Sequence, residues 1–133
     1  MTFDWPISIY YEDTDAGGVV YHSNYLNFFE RARTEWLKSL SINQTALLKQ
    51  DIAFVVKHAD IDFRMAARFE QSLIVTSSLL SLKKASLIFK QQLIDDNGTL
   101  YCEATITVAC ISLSKMRPRA LPSTLVQEFT RAS

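Results

Sequence analysis

Between residues 24 and 40 the apolar side chains recur at helical spacing, and from Ala53 onward the spacing falls to two. Tyr25, Phe28, Phe29, Ala32, Trp36 and Leu40 fall on one helical face, and Leu26 and Leu37 widen it. A helix from about Asn24 to Leu40 with a face that broad has to be covered by something else. Burying about eight large side chains is worth roughly 12–24 kcal/mol gross, much of it offset by chain entropy. The helix is therefore expected at the centre of the fold. Ser23 or Asn24 reads as its N-cap, and Arg31 with Glu35 as a surface pair.

The remaining elements are expected as strands. Ile7 to Glu12 reads as a first strand, followed by a turn from Asp13 to Gly18. A short helix is expected over Asn43 to Lys49. In the next strand Val55, Ala59, Ile61, Phe63 and Met65 read as one face, and His58, Asp60, Asp62 and Arg64 as the other. His58, among acids, reads as solvated or at an interface. Leu73 to Leu82 and Ser86 to Ile94 follow, then the turn Asp95-Asp96-Asn97-Gly98. In the strand from Thr99 to Leu113, Leu100, Cys102, Ala104, Ile106, Val108 and Cys110 share a face opposite Tyr101, Glu103, Thr105 and Thr107. Pro118 and Pro122 break the pattern, and Thr124 to Arg131 reads as a final short helix. One strand, one long helix and then an antiparallel meander give an α+β fold, with a curved sheet of five or six strands wrapped around the helix.

Composition narrows the function classes. A chain of 133 residues reads as one domain, spanning 1–133. Its 14 basic and 14 acidic residues balance, which argues against a general nucleic-acid binder. No stretch is long and apolar enough to span a bilayer, so no membrane insertion is expected, and the first residues do not read as a signal peptide. Cys102 and Cys110, eight apart on one strand, cannot reach each other for a disulfide. They read as reduced core thiols, which points to a cytoplasmic location. No His/Cys cluster has zinc spacing, and no metal or cofactor is expected. Asp13-x-Asp15 opens like a calcium loop, but its fifth position is Gly17 and its twelfth is Asn24, so that reading fails.

The chemistry concentrates in Tyr10 to Tyr25, just ahead of the long helix. Two of the three glycines, Gly17 and Gly18, lie in this window with Asp13, Asp15 and one of the two histidines, His22. Glycines allow backbone to approach a ligand closely, and here they do so beside an ionisable base. The string Tyr11-Glu12-Asp13-Thr14-Asp15-Ala16-Gly17-Gly18-Val19-Val20-Tyr21-His22, followed by Tyr25, resembles the signature of the hotdog-fold acyl-CoA thioesterases. The nearest branch is the YbgC type, related to 4-hydroxybenzoyl-CoA thioesterases and associated with the Tol-Pal gene cluster. Phe28-Phe29-Glu30-Arg31-Ala32-Arg33-Thr34-Glu35 is similar to that branch too.

The resemblance implies a hotdog fold, a helix wrapped by a sheet. It also implies edge-to-edge dimers with active sites at the interface, and association of dimers into a homotetramer. By position, Asp15 matches the family's catalytic carboxylate. His22 matches the residue at the helix start whose amide faces the thioester carbonyl, and Tyr11 a tyrosine near the site. Asp13 is read as structural. Gly17, Gly18 and Val19 are expected to line the substrate. Coenzyme A carries phosphates, so basic residues should flank it: Arg117 and Arg119 first, then Lys83, Lys84 and Lys90.

The expected reaction is hydrolysis of an acyl-CoA. Asp15 serves as general base or nucleophile, the former worth roughly 10²–10⁴-fold. The helix's opening amides steady the developing oxyanion. The alternatives are acyl-acyl carrier protein as substrate, or a non-catalytic scaffold binding acyl-carrier or membrane-synthesis partners. A hotdog hydratase pairs its Asp and His with four residues between them, whereas six separate Asp15 and His22.

Overall fold

The computed structural model describes residues 1–131. Helix α1 (Asn24–Ser39) carries the expected stripe, with Tyr25, Phe28, Phe29, Ala32, Trp36 and Leu37 buried. Around it fold β1 (Thr2–Ser8), β2 (Ile52–Phe63), β3 (Ser72–Leu82), β4 (Ser86–Ile94), β5 (Leu100–Ser112) and the two-residue β6 (Arg117–Pro118). All pairings are antiparallel, in the order β1-β3-β4-β5-β2, with β6 on β5. Helix α2 (Gln44–Lys49) follows α1, and α3 (Ser123–Arg131) ends the described chain. This is the hotdog arrangement of a curved sheet around a central helix. The inward rows of β3, β4 and β5 alternate, with Leu73 and Val75, Leu87, Phe89 and Leu93, and Cys102 to Cys110 buried against α1, until the register of β3 shifts between Leu79 and Ser81. Both cysteines are free and face this core.

Trp36 joins the layers. Its ring stacks on Phe3 of β1 at 5.9 Å and meets Phe89 of β4 and Phe129 of α3 edge-on, at 5.8 and 5.1 Å. Offset and edge-on ring contacts add about 0.5–1.5 kcal/mol each beyond the area buried.

Five expectations need correction. The first strand is Thr2–Ser8, not Ile7 to Glu12, because Pro6 lies on an edge strand where its missing N–H is no handicap. Tyr11–Asp13 instead forms a single 3-10 turn, with the Asp13 carboxylate accepting the Tyr10 N–H at 2.9 Å. In β2 the strict alternation fails at Lys57, where the register skips from Val56 opposite Val108 to His58 opposite Thr107. A bulge there makes Val56, not Val55, the companion of Ala59, Ile61 and Phe63. His58 stays on the outer face, exposed. Pro118 does not end the sheet but pairs with Ile111. On α1, Leu26 is exposed, and Glu35 pairs with Lys38 at 3.3 Å rather than with Arg31.

The helix also buries a charge. Arg33 falls in the same row as Phe29 and Leu37 and is only 8% exposed. Its Nη1 donates to Gln91 Oε1 at 2.9 Å, while Gln91 Nε2 donates to Phe29 O at 3.0 Å and to Ser77 Oγ at 2.9 Å. Burial lowers the guanidinium to about 10, with the Glu30 charge opposing the shift. These bonds register α1 against β3 and β4. Among the described residues, no helix is long and apolar enough to cross a membrane.

Candidate functional site

The chain from Asp13 to Asn24 closes on itself before α1 begins. Thr14 bridges Val20, Asp15 N–H donates to Val19 O at 2.9 Å, and Gly18 N–H donates to Asp15 O at 3.0 Å. Gly18 has φ +78, the left-handed region where a side chain is strained, which explains a glycine at this point of the turn. The Asp15 carboxylate accepts the Gly17 N–H at 2.8 Å through Oδ1. A single backbone bond thus aims this exposed carboxylate, and Oδ2 makes no hydrogen bond among the described residues.

Asp13, buried, is the fixed point beneath the turn. Besides holding Tyr10, its carbonyl accepts Tyr21 N–H and Asn24 Nδ2, both at 2.9 Å. Asn24 therefore reaches backward and does not cap α1, and Ser23 at the N-cap position makes no side-chain capping bond either. Among the described residues the first-turn amides of α1 have no side-chain acceptor. His22, exposed at the helix start, lies 4.5 Å from the Tyr21 ring and 6.4 Å, edge-on, from Phe63 at the end of β2.

A second segment forms the flank of the turn. Val20 N–H donates to Ala67 O at 2.8 Å, Ala67 N–H donates to Tyr25 Oη at 3.1 Å, and Val19 bridges Arg68. Tyr25, expected as core, is buried and also serves as this acceptor; burial raises its hydroxyl above the ordinary tyrosine value. Tyr11 is exposed and packs edge-on against Phe69 at 5.8 Å.

Asp15, Gly17, Gly18, Val19 and His22 are thus gathered in one loop at the start of α1. Among the described residues no hydrogen bond joins Asp15 to His22, or Tyr11's side chain to either. A cavity of about 340 Å³ opens beside α1, starting one turn beyond His22. Leu26, Asn27, Glu30 and Arg33 line it, opposite Phe54, Val56 and Phe89.

Arg117 and Arg119 lie elsewhere, with Lys115 around a cavity of about 520 Å³ that also includes Asp51 and Ser112. Arg119 Nη1 donates to Gln50 O and Asp51 O at 3.3 and 3.4 Å. Hydrogen bonds from Ser112 and Ser114, with the Arg119 charge a smaller influence, hold the Asp51 carboxyl below its usual range. This basic group adjoins the Ile52 end of β2, whereas His22 adjoins the Phe63 end. The twelve residues of β2, roughly 35 Å measured along the strand, lie between them within one chain. Lys90 is taken up by Glu103 at 3.4 Å, and Lys83 and Lys84 are exposed between β3 and β4. Among the described residues no group of His, Cys, Asp or Glu could hold a metal ion.

Two features escaped the sequence reading. Arg33 and Gln91 both sit on inward rows, at helical spacing from Phe29 and at alternate spacing from Phe89, and that position was their signal. The cap expected from Ser23 or Asn24 does not form, and nothing in the one-letter code distinguishes a side chain that caps from one that reaches back.

Comparison with known proteins places these residues in context. Residues 10–129 match the family model described as the thioesterase-like superfamily. The acyl-CoA thioesterase YbgC of Haemophilus influenzae is 47% identical over 128 residues, covering 96% of this chain and 93% of its own. The acyl-CoA thioester hydrolase YbgC of Escherichia coli is 44% identical over 127 residues, covering 96% and 95%. Among solved structures, a probable thioesterase from Bartonella henselae superposes with a TM-score of 0.85 at 32% identity, covering 92% of this chain and all of that one.

Proposed function

This chain belongs to the thioesterase-like superfamily, close to its YbgC members, and from that footing we propose that it hydrolyses acyl-CoA thioesters to free acid and CoA. The observation that carries the reading is the Asp15 carboxylate, aimed by Gly17 N–H, on a turn clamped to the uncapped start of α1. The thioester carbonyl rests over the opening amides of α1 near His22, its carbon facing Asp15. Asp15 takes a proton from water as the oxygen attacks, or attacks itself to give a mixed anhydride that water then opens. In the first route the C–S bond breaks and Asp15 passes the proton it took from water to the departing thiolate; in the second, the attack of Asp15 breaks the C–S bond and expels the thiolate, and the proton released when water opens the anhydride neutralises it and leaves Asp15 a carboxylate again. The helix amides and dipole steady the oxyanion, and one such donor is worth about 10²–10³ in rate. Gly17, Gly18 and Val19 form the close-approach wall. Tyr11 and His22 bound it on either side.

The site is completed by a second copy. Antiparallel pairing along the open β2 edge sets the Ile52 end of one copy beside the Phe63 end of the other. It thereby brings Arg117 and Arg119 of one chain to the same end of the shared sheet as the His22 of its neighbour, where they meet the phosphates of the CoA whose thioester, a pantetheine arm away, lies at that His22. Two such dimers form the tetramer.

The test is Asp15→Asn on purified protein against a panel of acyl-CoAs, following free thiol. Turnover is expected to fall by at least about 10²-fold. Wild-type turnover in the variant would remove the mechanism. Running matched acyl groups on acyl carrier protein in the same assay identifies the preferred carrier.

A further inference from the structure

Asn24 is the unusual residue of the helix start. It is the first residue of α1, one place past the N-cap position held by Ser23, whose own side chain accepts no first-turn amide. Here Nδ2 donates away from the helix to Asp13 O at 2.9 Å, and Oδ1 is occupied by Asn27 Nδ2 at 3.1 Å. The Asp13 carbonyl it holds is the same one that accepts Tyr21 N–H. Two residues on, the chain delivers the Asp15 carboxylate. The side chain of Asn24 is therefore the direct side-chain link from α1 to the turn that carries Asp15. It makes that link without occupying the first-turn amides.

From this we infer that Asn24 is a positioning residue for the hydrolysis. It sets the spacing between the Asp15 carboxylate and the oxyanion-binding end of α1, while leaving that end open to substrate. The inference rests on the hydrolase reading above. Two groups must address the same carbonyl, one at carbon and one at oxygen, so their relative placement is the quantity that rate depends on. A misplacement of about 1 Å at a reacting centre costs on the order of 10²-fold in rate. Ground-state binding of the acyl and CoA portions, by contrast, does not pass through Asn24.

Two variants separate positioning from folding. Asn24→Ala deletes the link. Asn24→Asp keeps the shape and puts a negative charge at a helix start, which favours the helix, but it cannot donate to Asp13 O. Both are expected to lower kcat by roughly 10- to 100-fold, with KM for an acyl-CoA changing less than about threefold. Asn24→Asp is expected to melt within a few degrees of the wild-type temperature, the helix-dipole gain offsetting part of the lost bond. The inference is overturned if kcat stays within twofold of wild type in both variants. A rise in KM at unchanged kcat, or a loss that merely tracks the unfolded fraction by circular dichroism, overturns it equally. Asp15→Asn is assayed alongside. If Asp15→Asn is inactive while the Asn24 variants turn over normally, only this inference falls. If Asp15→Asn is itself active, the hydrolase mechanism falls first.

Discussion

Replacing Gln91 by Leu should be among the most damaging single changes available to this chain. The swap nearly conserves volume, so cavity formation is a minor contribution. What it removes is a set of three bonds: one accepted from the buried Arg33 guanidinium, one donated to Phe29 O and one donated to Ser77 Oγ. Two neutral bonds at about 1 kcal/mol each and one to a charged group at about 1.5–3 kcal/mol sum to roughly 3–5 kcal/mol. Against a usual total of about 5–15 kcal/mol, that is a large share. With an unfolding entropy of about 2.1 cal/mol/K per residue over 133 residues, the melting temperature should fall by roughly 11–18 °C. The buried Trp36 provides a fluorescence reporter for urea unfolding at fixed protein concentration. Adding Arg33→Met to Gln91→Leu should recover much of the loss, because the stranded charge goes with it. A Gln91→Leu protein within 0.5 kcal/mol of wild type (on the order of a surface substitution), or a double variant weaker than the single, would refute the account.

Burial first, and the Asp62 charge second, push the Cys102 thiol from 9.0 up to about 12. The folded chain then keeps a proton that the unfolded chain releases, so stability is full below about pH 9 and is lost as pH climbs toward 12. The urea midpoint should drop between pH 8 and 10, and drop less in Cys102→Ala; parallel declines in the two proteins would contradict this. Tyr25→Phe strips the buried Ala67 N–H of its acceptor, costing about 1–3 kcal/mol and speeding hydrogen exchange at Ala67. Unchanged exchange there would show that the bond carries no weight. If the basic residues serve the neighbouring chain, mixing inactive Asp15→Asn with an Arg117→Ala/Arg119→Ala double variant should restore up to about a quarter of wild-type activity through heterodimers. No recovery on mixing would place the phosphates elsewhere.

Much of this molecule could be read before folding it. The α1 stripe was legible because seven of its eight marked positions share a face that only a core can cover. The alternation of β4 and β5 was legible for the same reason. The bulge at Lys57 was not, since a lysine in an edge strand carries no mark that it is the extra residue, and one skipped position inverts every face before it. Thr2–Ser8 was not legible as a strand because its Pro6 is compatible with an edge position only, and edge status is a property of the whole sheet. At the site, the types and spacing from Asp13 to His22 announced a turn against a helix start. Which way Asn24 would point depends on where Asp13 O arrives, and that follows from the closed loop rather than from any local preference. The far placement of Arg117 and Arg119 was likewise invisible, because it follows from which end of a long strand each loop adjoins.

The irregularity in β2 reaches beyond its own chain. It falls at the midpoint of a twelve-residue margin, so the free rim of the sheet is bent at its centre and bears a cation there. A straight foreign segment can follow only one limb of such a rim, which blunts it against indiscriminate association. In the dimer proposed above, a copy of the same strand, arriving antiparallel about a two-fold axis through that midpoint, brings an identical bend to the identical place. The shape that turns strangers away is in this sense self-addressed.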